Sequence, residues 1–461
     1  MISFTAKLNE ETKSLLENKS LIENIGNMVG YPYSIIMPNA VRDNIAGFRN
    51  VFANHNMNYR IYFAHKCNQS TAVVKECLHS GINIDVSSLN ELKHALENGF
   101  TGNKILATGP KNKEFLWLAI LHGVTISVDS LQELNTIIEL TNQLDKSVDV
   151  LIRINSASSN MVKKSSRFGL EDKDIVVALN ILQENTRINL IGLALHFDTV
   201  NIKEKVNGIK KCIKLTDKLL SFGFNIRVLD IGGGYKVNYI ESKEEYLASI
   251  SEIKENVLSN KEELTWNNYT YGLRSENNTL RGTFNSYDFY DTEVKEKYLD
   301  TILSSEIAGR TVAEMINDFG LELWIEPGRA LLDDVGLNIS KVNFTKVVDN
   351  KTLVGLEMNK NQMLMGDHEI FVDPIVLNDE EKKEVFFIGN LCLENDFMFK
   401  RKLYVNEPRV DDIVVFPNTA GYYMDFEESE SIMHSKKPKV VIKKEESGFK
   451  FYLDDRYNPF I

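Results

Sequence analysis

Cysteine is scarce in this 461-residue chain. Cys67, Cys77, Cys212 and Cys392 lie far apart and form no CxxC pair. Such spacing does not resemble a disulfide framework or a zinc site and suits a reducing compartment, so a cytoplasmic protein without a metal is expected. An excess of positive charge is also missing, since the formal net charge is −12. Nucleic acid and anionic membrane surfaces both demand a basic footprint, so neither is expected as a partner. No apolar run approaches the ~20 residues of a membrane-spanning helix. The opening MISFTAKLNEETKSLLENKS lacks an apolar signal core and reads as native structure. What is present is ordinary for a soluble globular chain: 43% apolar and 26% charged residues, with length enough for two domains.

From about residue 40 to residue 345 strand-like and helix-like segments alternate. RIYFAHK is followed by STAVVKECLHSG, INIDVS by LNELKHALENGF, KILATGP by EFLWLAILHG, and ISVDS by LQELNTIIELTNQ. Ser88 with Glu91, and Ser130 with Glu133, have capping-box spacing at two of the helix starts. VDVLIRIN, LIGLALHF, IRVLDIGGG and LELWIEP complete about eight short apolar runs. Repeated βα units imply a parallel sheet, and eight of them a closed (β/α)8 TIM barrel over residues 40–345. One interval breaks the rhythm. Roughly 90 residues separate Gly234 from Glu326, far more than one helix requires, so an insertion is expected at about 240–318. Its aromatic part, WNNYTYGLRSENNTLRGTFNSYDFYD, reads as a structural elaboration or as a lid that touches substrate. Residues 346–461 contain β-like runs split by polar turns and read as a C-terminal β-barrel or sandwich domain, to which residues 1–39 contribute.

The special residues cluster at strand ends. Lys66 ends the first run, His196 a later one, Asp230 with Gly232, Gly233 and Gly234 the next, and Glu326-Pro-Gly328-Arg329 the last. In a (β/α)8 barrel these ends share the face where active sites are built. Each residue also has a bland reading: a surface lysine, a satisfied core histidine, a tight glycine turn, a surface ion pair for Arg329. Together they suit pyridoxal 5′-phosphate. A lysine supplies the covalent anchor, glycine N–H groups and an arginine a phosphate cradle, and a buried acid the partner of a protonated pyridine nitrogen.

At these residues the chain resembles the ornithine/diaminopimelate/arginine decarboxylases, fold-type III pyridoxal-phosphate enzymes with an alanine-racemase-like barrel. FAHKCNQS resembles the family's Y-A-x-K-A-N segment, which implies that Lys66 is the Schiff-base lysine. IDVSSLNEL resembles D-V-A-S-x-x-E-L and implies Asp85 near the cofactor. LIRIN and SRFGL resemble R-I-x-P and S-K-F-G-L, with Arg153 among the cofactor-binding residues. LALHFDT resembles H-x-G-S, which implies His196 stacked on the pyridine ring and Thr199 at the phosphate-binding serine position. By the same resemblance Gly233, Gly234, Gly328 and Arg329 hold the phosphate, Glu326 holds the pyridine nitrogen, and Tyr422 of NTAGYYMDF touches the phosphate. GNLCLENDF resembles G-x-x-C-E/D-x-x-D. Cys392 is thereby implied as the proton donor to the substrate carbanion, with Glu394 and Asp396 at the substrate site. In the family these residues come from the second subunit, so a homodimer with shared active sites is expected. The bland reading of Cys392 is a small buried apolar residue.

The chain departs from the family pattern in three places. Leu393 stands where relatives usually carry an acid that binds the substrate's distal amino group, although Glu394 is adjacent. LEMNKNQMLMGDHEIFVDP carries Lys360 and methionines where an acid or a carboxylate-binding arginine is common. The insertion before Glu326 is long. An unpaired ammonium is costly to bury beside leucine, so a larger or conjugated amino acid is expected as substrate in place of ornithine, lysine or free arginine. Three readings compete with the decarboxylase: an amino-acid racemase on the same fold, a non-catalytic cofactor-binding protein, and a sugar-processing barrel with paired carboxylates. The last gives no reason for Lys66 or the two glycine motifs.

Overall fold

The computed structural model describes residues 2–155, 166–196, 199–259, 264–363, 369–446 and 448–460. Phe197 and Asp198 of LALHFDT, and residues 364–368 of the methionine-rich stretch, lie outside them. The eight apolar runs form parallel strands: β1 Tyr59–Ala64, β2 Asn83–Val86, β3 Ile105–Ala107, β4 Thr125–Val128, β5 Val148–Ile154, β6 Ile188–Leu195, β7 Val228–Asp230 and β8 Glu322–Ile325. They pair in sequence and close into a barrel through β8 against β1, with Ile325 opposite Ile61. These strands are apolar on both faces because both are covered: helices pack outside, and side chains fill the inside. Tyr62, Leu106, Leu151, Ile191, Val228 and Trp324 form the inner layer. That layer plugs the barrel just below the C-terminal strand ends. Each fully buried Leu, Ile or Phe in such a core contributes about 1.5–3 kcal/mol.

Helix starts follow the local signals. Ser88 Oγ accepts from Glu91 N at 3.1 Å, and Ser130 Oγ from Glu133 N at 3.1 Å. The reciprocal half of each box lies one residue earlier than the spacing implies. Glu91 accepts from Ser87 N at 2.6 Å, and Glu133 from Asp129 N at 3.1 Å. Both glutamates thus fasten the strand-to-helix turn as well as the helix.

The second domain is a curled nine-stranded sheet. Its central strand, Gly336–Val348, pairs in its first half with Tyr33–Ile36 on one edge and Ile413–Phe416 on the other, and further along with Lys351–Leu356. Residues 1–39 supply two helices, Glu10–Leu16 and Lys19–Val29, besides the Tyr33–Ile36 strand. Gly336–Val348 runs across residue 345, so the sheet begins about ten residues earlier than the helix-to-strand change in texture suggests. The run is apolar at its start, like a barrel strand, because that half is buried against the core.

The insertion carries the helix Lys243–Ser259 and a hairpin, Leu273–Glu276 with Thr279–Gly282. The helices Lys295–Ser304 and Val312–Asp318 pack on the barrel's outer ring. Leu264–Tyr271 reaches the sheet domain. Trp266 N donates to Lys400 O at 2.7 Å and Lys402 N to Leu264 O at 2.8 Å. The Trp266 ring lies 4.6 Å from the Phe397 ring between centroids.

Residues near the C-terminus fasten the helix that follows Lys66. The Asp454 carboxylate accepts from Ser70 Oγ at 2.5 Å, Thr71 N at 2.8 Å and Ala72 N at 3.1 Å, at the N-terminus of Thr71–His79. Tyr457 Oη donates to the buried Glu76 at 2.7 Å. Because free helix N–H groups and the dipole both favour an anion there, Asp454→Ala should lower the unfolding free energy by about 1–2 kcal/mol in urea titrations. Asp455→Ala, at an exposed side chain, should stay within about 0.5 kcal/mol. Equal losses in the two variants would contradict the capping role.

Candidate active site

Lys66 sits in a short 3-10 turn, His65–Cys67, that ends β1. Its amine faces a cavity of about 900 Å³ at the strand ends and lies 4.0 Å from Asp85 Oδ2, at the end of β2. Burial opposes a charged amine here. The carboxylates of Asp85 and Glu326 outweigh it and hold the Lys66 pKa above the ordinary lysine value. Asp85 is buried, and Thr108 Oγ1 donates to its Oδ1 at 2.5 Å, whereas Oδ2 has no hydrogen-bond partner among the described residues. Burial, reinforced by the nearby Glu326 charge, pushes Asp85 up to about 7.

Glu326 follows β8 directly and lies beside His196 at the end of β6, with His196 Nδ1 3.2 Å from Glu326 Oε2. Burial alone would raise this carboxyl. Hydrogen bonding and charge from His196, and the Lys66 charge, outweigh burial and hold it at about 2. Asp230, at the end of β7, is pushed well above its usual range by burial and by the Glu326 charge. It accepts from Gly232 N at 2.8 Å, and its Oδ2 has no partner among the described residues. Of three buried carboxylates, one is thus held ionised and two are pushed toward the protonated form.

The glycines leave room that side chains would fill. A Cβ on Gly232 would lie 2.7 Å from His196 Nδ1, one on Gly233 2.8 Å from Glu326 O, and one on Gly328 1.9 Å from Cys67 Sγ. Arg329 projects beside this loop without a carboxylate partner among the described residues. Four tyrosines surround its guanidinium: Tyr287 at 4.4 Å, Tyr423 at 4.9 Å, Tyr422 at 5.0 Å and Tyr239 at 6.0 Å to ring centroids. Its Nη1 donates to Tyr239 Oη at 3.0 Å. Tyr422 reaches the site from a left-handed backbone position, φ 72°, with its N–H on Cys67 O at 2.9 Å. A buried cation without an anion costs several kcal/mol, so this end of the cavity suits a bound anion. The other end offers an ionised carboxylate and an amine. Those features fit a ligand such as pyridoxal phosphate, which is anionic at one end and carries a protonated ring nitrogen at the other.

Ten of the fourteen residues given a catalytic, cofactor or substrate role by the resemblance line the cavity. Lys66, His196 and Glu326 stand at one side, and Thr199, Gly233, Gly234, Gly328, Arg329 and Tyr422 at another. Arg153 is the tenth, 3.6 Å from Asp129 and over the Phe168 ring at 4.5 Å. Asp85 lies just beneath the lining. Cys392, Glu394 and Asp396 do not line it. Cys392 and Glu394 are exposed on a loop of the sheet domain. Asp396 is buried and organises that loop, accepting from Leu391 N at 2.7 Å and Lys360 N at 3.0 Å. Lining residues that the sequence reading gave no role include Tyr287 and Lys236, from the insertion and its start, and Thr108 at the end of β3. Thr108 was findable as a polar residue at a strand end.

The family described as "Pyridoxal-dependent decarboxylase, pyridoxal binding domain" matches residues 39–276. The chain belongs to this family. It is 27% identical to a Sinorhizobium fredii protein, y4yA, over 88% of this chain and 86% of that one. The diaminopimelate decarboxylase of Bacillus subtilis is 25% identical, over 69% of this chain and 64% of the enzyme. The structure of diaminopimelate decarboxylase from M. jannaschii in complex with L-lysine superposes with a TM-score of 0.73 at 18% identity, covering 98% of this chain and 95% of that one. The architecture of a TIM barrel with an attached β domain is therefore shared, and the family's cofactor is pyridoxal phosphate.

The Asp85 environment has a pH signature in cofactor-free protein. Between the unfolded value of 3.8 and the folded value of about 7, the folded chain keeps a proton that the unfolded chain has released. Stability from this group therefore falls as pH rises through that window, by up to about 1.4 kcal/mol per unit. Asp85→Asn should gain stability relative to the unsubstituted protein between pH 5 and 7.5 in urea titrations. Buried histidines titrate equally in both proteins and cancel in the difference. A difference independent of pH would contradict the raised value.

Proposed function

We propose that the chain is an α-decarboxylase that holds its cofactor through the Lys66 amine and acts on an amino acid with a bulky or conjugated, non-cationic side chain. The observation that carries the reading is the convergence of a lysine, an ionised buried carboxylate and an anion cradle around one cavity. Pyridoxal phosphate, when bound, supplies an electron sink for the pair left behind by the departing carboxylate. The chain's own residues do the rest. Glu326 stays ionised and offers its charge to the ring nitrogen's proton, and His196 fixes Glu326 in place. Lys66 would anchor the cofactor, and its amine, freed when substrate takes that place, would stay beside the reacting atoms for product release. Arg329, the glycine loop, Thr199 and Tyr422 hold the phosphate end. The Cys392 thiol returns a proton to Cα. Its exposure outside this chain's own cavity favours donation from a second copy, and hence a homodimer with shared sites.

The lining favours a substrate without a distal cation. Glu326 is the single carboxylate lining the cavity among the described residues, and of the lining cations Arg153 and Lys236 pair with Asp129 and Asp291, Lys66 and Arg329 are assigned to the cofactor, and Arg167 remains to face a substrate. An ammonium side chain would meet like charge there, and Leu393 offers it no partner.

Lys66→Ala should abolish CO2 release from the best substrate of an amino-acid screen. Cys392→Ala should lower kcat about 100-fold or more and divert part of the turnover to abortive transamination. Mixing the two variants should restore activity if sites are shared. Full activity in Lys66→Ala, or faster turnover of ornithine than of every neutral or substituted amino acid tried, would contradict the reading.

A further inference from the structure

Lys205 is a fully buried lysine that plays no part in the chemistry above. It lies in the first turn of the helix Ile202–Ser221, which Asn201 caps just after Thr199. Its amine donates to the Gly233 carbonyl, behind the glycine loop. It lies 5.2 Å from the centroid of the Tyr235 ring and 5.8 Å from that of Tyr298. No carboxylate pairs with it among the described residues, and burial lowers its pKa to about 8 although the more distant Glu326 and Asp230 charges raise it. A buried amine with two aromatic faces and one carbonyl is expensive to keep, which calls for a compensating role.

The peptide it holds supplies that role. The carbonyl of Gly233 and the N–H of Gly234 belong to one trans peptide and point in opposite directions. Lys205 stands on the carbonyl side, away from the cavity, whereas Gly233 and Gly234 line the cavity. Gly234 N–H therefore faces the cavity, and no acceptor in the described chain takes it. A peptide between two glycines is the one most free to flip, and Gly234 has φ 87°. Flipped, it would present a carbonyl to an anion. A Cβ on Gly234 would lie 3.4 Å from both Lys205 Nζ and Thr199 O, so amine, loop and Thr199 form one compact unit.

We propose that Lys205 is a positioning residue for the cofactor phosphate: it locks the Gly233–Gly234 peptide with its N–H toward the cavity and sets a positive charge behind that donor. The proposal rests on pyridoxal phosphate as the cofactor. It adds to Arg329 a second cation, held behind the glycine loop. The charge at the carbonyl end also polarises the peptide and strengthens its N–H as a donor.

The test compares pyridoxal phosphate with phosphate-free pyridoxal. Both are titrated by absorbance into the unsubstituted protein, Lys205→Met and Lys205→Arg, at pH 7.5 and 9.5. Methionine keeps the apolar packing against Tyr235 and Tyr298. The expected result is a preference for the phosphorylated ligand that drops roughly tenfold or more in Lys205→Met, about the value of a charge-assisted hydrogen bond, with pyridoxal affinity within about twofold. In the unsubstituted protein the preference should shrink between pH 7.5 and 9.5 as Lys205 loses its proton. In Lys205→Arg, which stays charged, it should not. The groups facing Lys205 are Asp230, Glu326, Tyr235 and Tyr298, and all four remain in every variant. An unchanged preference in Lys205→Met, equal weakening of both ligands, or the same pH response in Lys205→Arg would overturn the role of Lys205 alone. Failure of the unsubstituted protein to bind either ligand would overturn the cofactor assignment with it.

Discussion

Closure of the barrel is the constraint on which the site depends. β8 pairs with β1 and with β7, so Leu323 lies beside Tyr59, and Trp324 beside Asp230. The residues just past those strands, Lys66, Glu326 and the glycine loop, have no other reason to meet, since they come from opposite ends of the barrel sequence. The inner layer of Tyr62 and Trp324 then closes the floor. The large cavity lies on the C-terminal strand-end side, and that is where Lys66, His196 and Glu326 stand.

Placing Asp230 and Glu326 at neighbouring strand ends, with Asp85 two strands on from Glu326, creates an electrostatic difficulty that the surroundings resolve unevenly. Glu326 receives His196 and the Lys66 charge and stays ionised. Asp85 and Asp230 receive too little and are driven toward protonation. At the other end the imbalance has the opposite sign, because Arg329 among four tyrosines and Lys205 under the loop are cations without carboxylate partners among the described residues. A dipolar ligand, cationic at a ring nitrogen and anionic at a phosphate, answers both. The insertion belongs to this arrangement. Tyr287 lies over Arg329 with Val237 N donating to its hydroxyl at 3.0 Å, and Asp291 pairs with Lys236 at the cavity wall. The far end of the insertion grips Lys400 and Phe397, which follow the Cys392 loop. One segment thus touches both the anion end of the cavity and the loop proposed to serve a second copy.

The barrel was legible in the sequence because each parallel strand, buried on both faces, is a short unbroken apolar run whose end is marked by a polar or glycine residue. That is why Lys66, His196, Asp230 and Glu326 stood out before any geometry was known. The start of the second sheet was less legible. The first half of Gly336–Val348 is buried like a barrel strand, so the change of texture lags the change of domain. Lys205 was not legible at all. It lies among Lys203, Glu204 and other charges of an amphipathic helix, and only the fold turns that one lysine inward beneath Gly233. Tyr287 was one aromatic among many in the insertion. Asp396 illustrates the opposite limit: its spacing from Cys392 was visible, whereas its use by Leu391 N and Lys360 N appears only once the loop is folded.

The most direct test of the account is an absorption spectrum of the purified protein with pyridoxal phosphate, before and after borohydride, followed by peptide mapping of the reduced adduct. The account predicts a visible band that reduction abolishes and a label on Lys66. A label on any other lysine, or a protein that stays colourless with added pyridoxal phosphate, would contradict it.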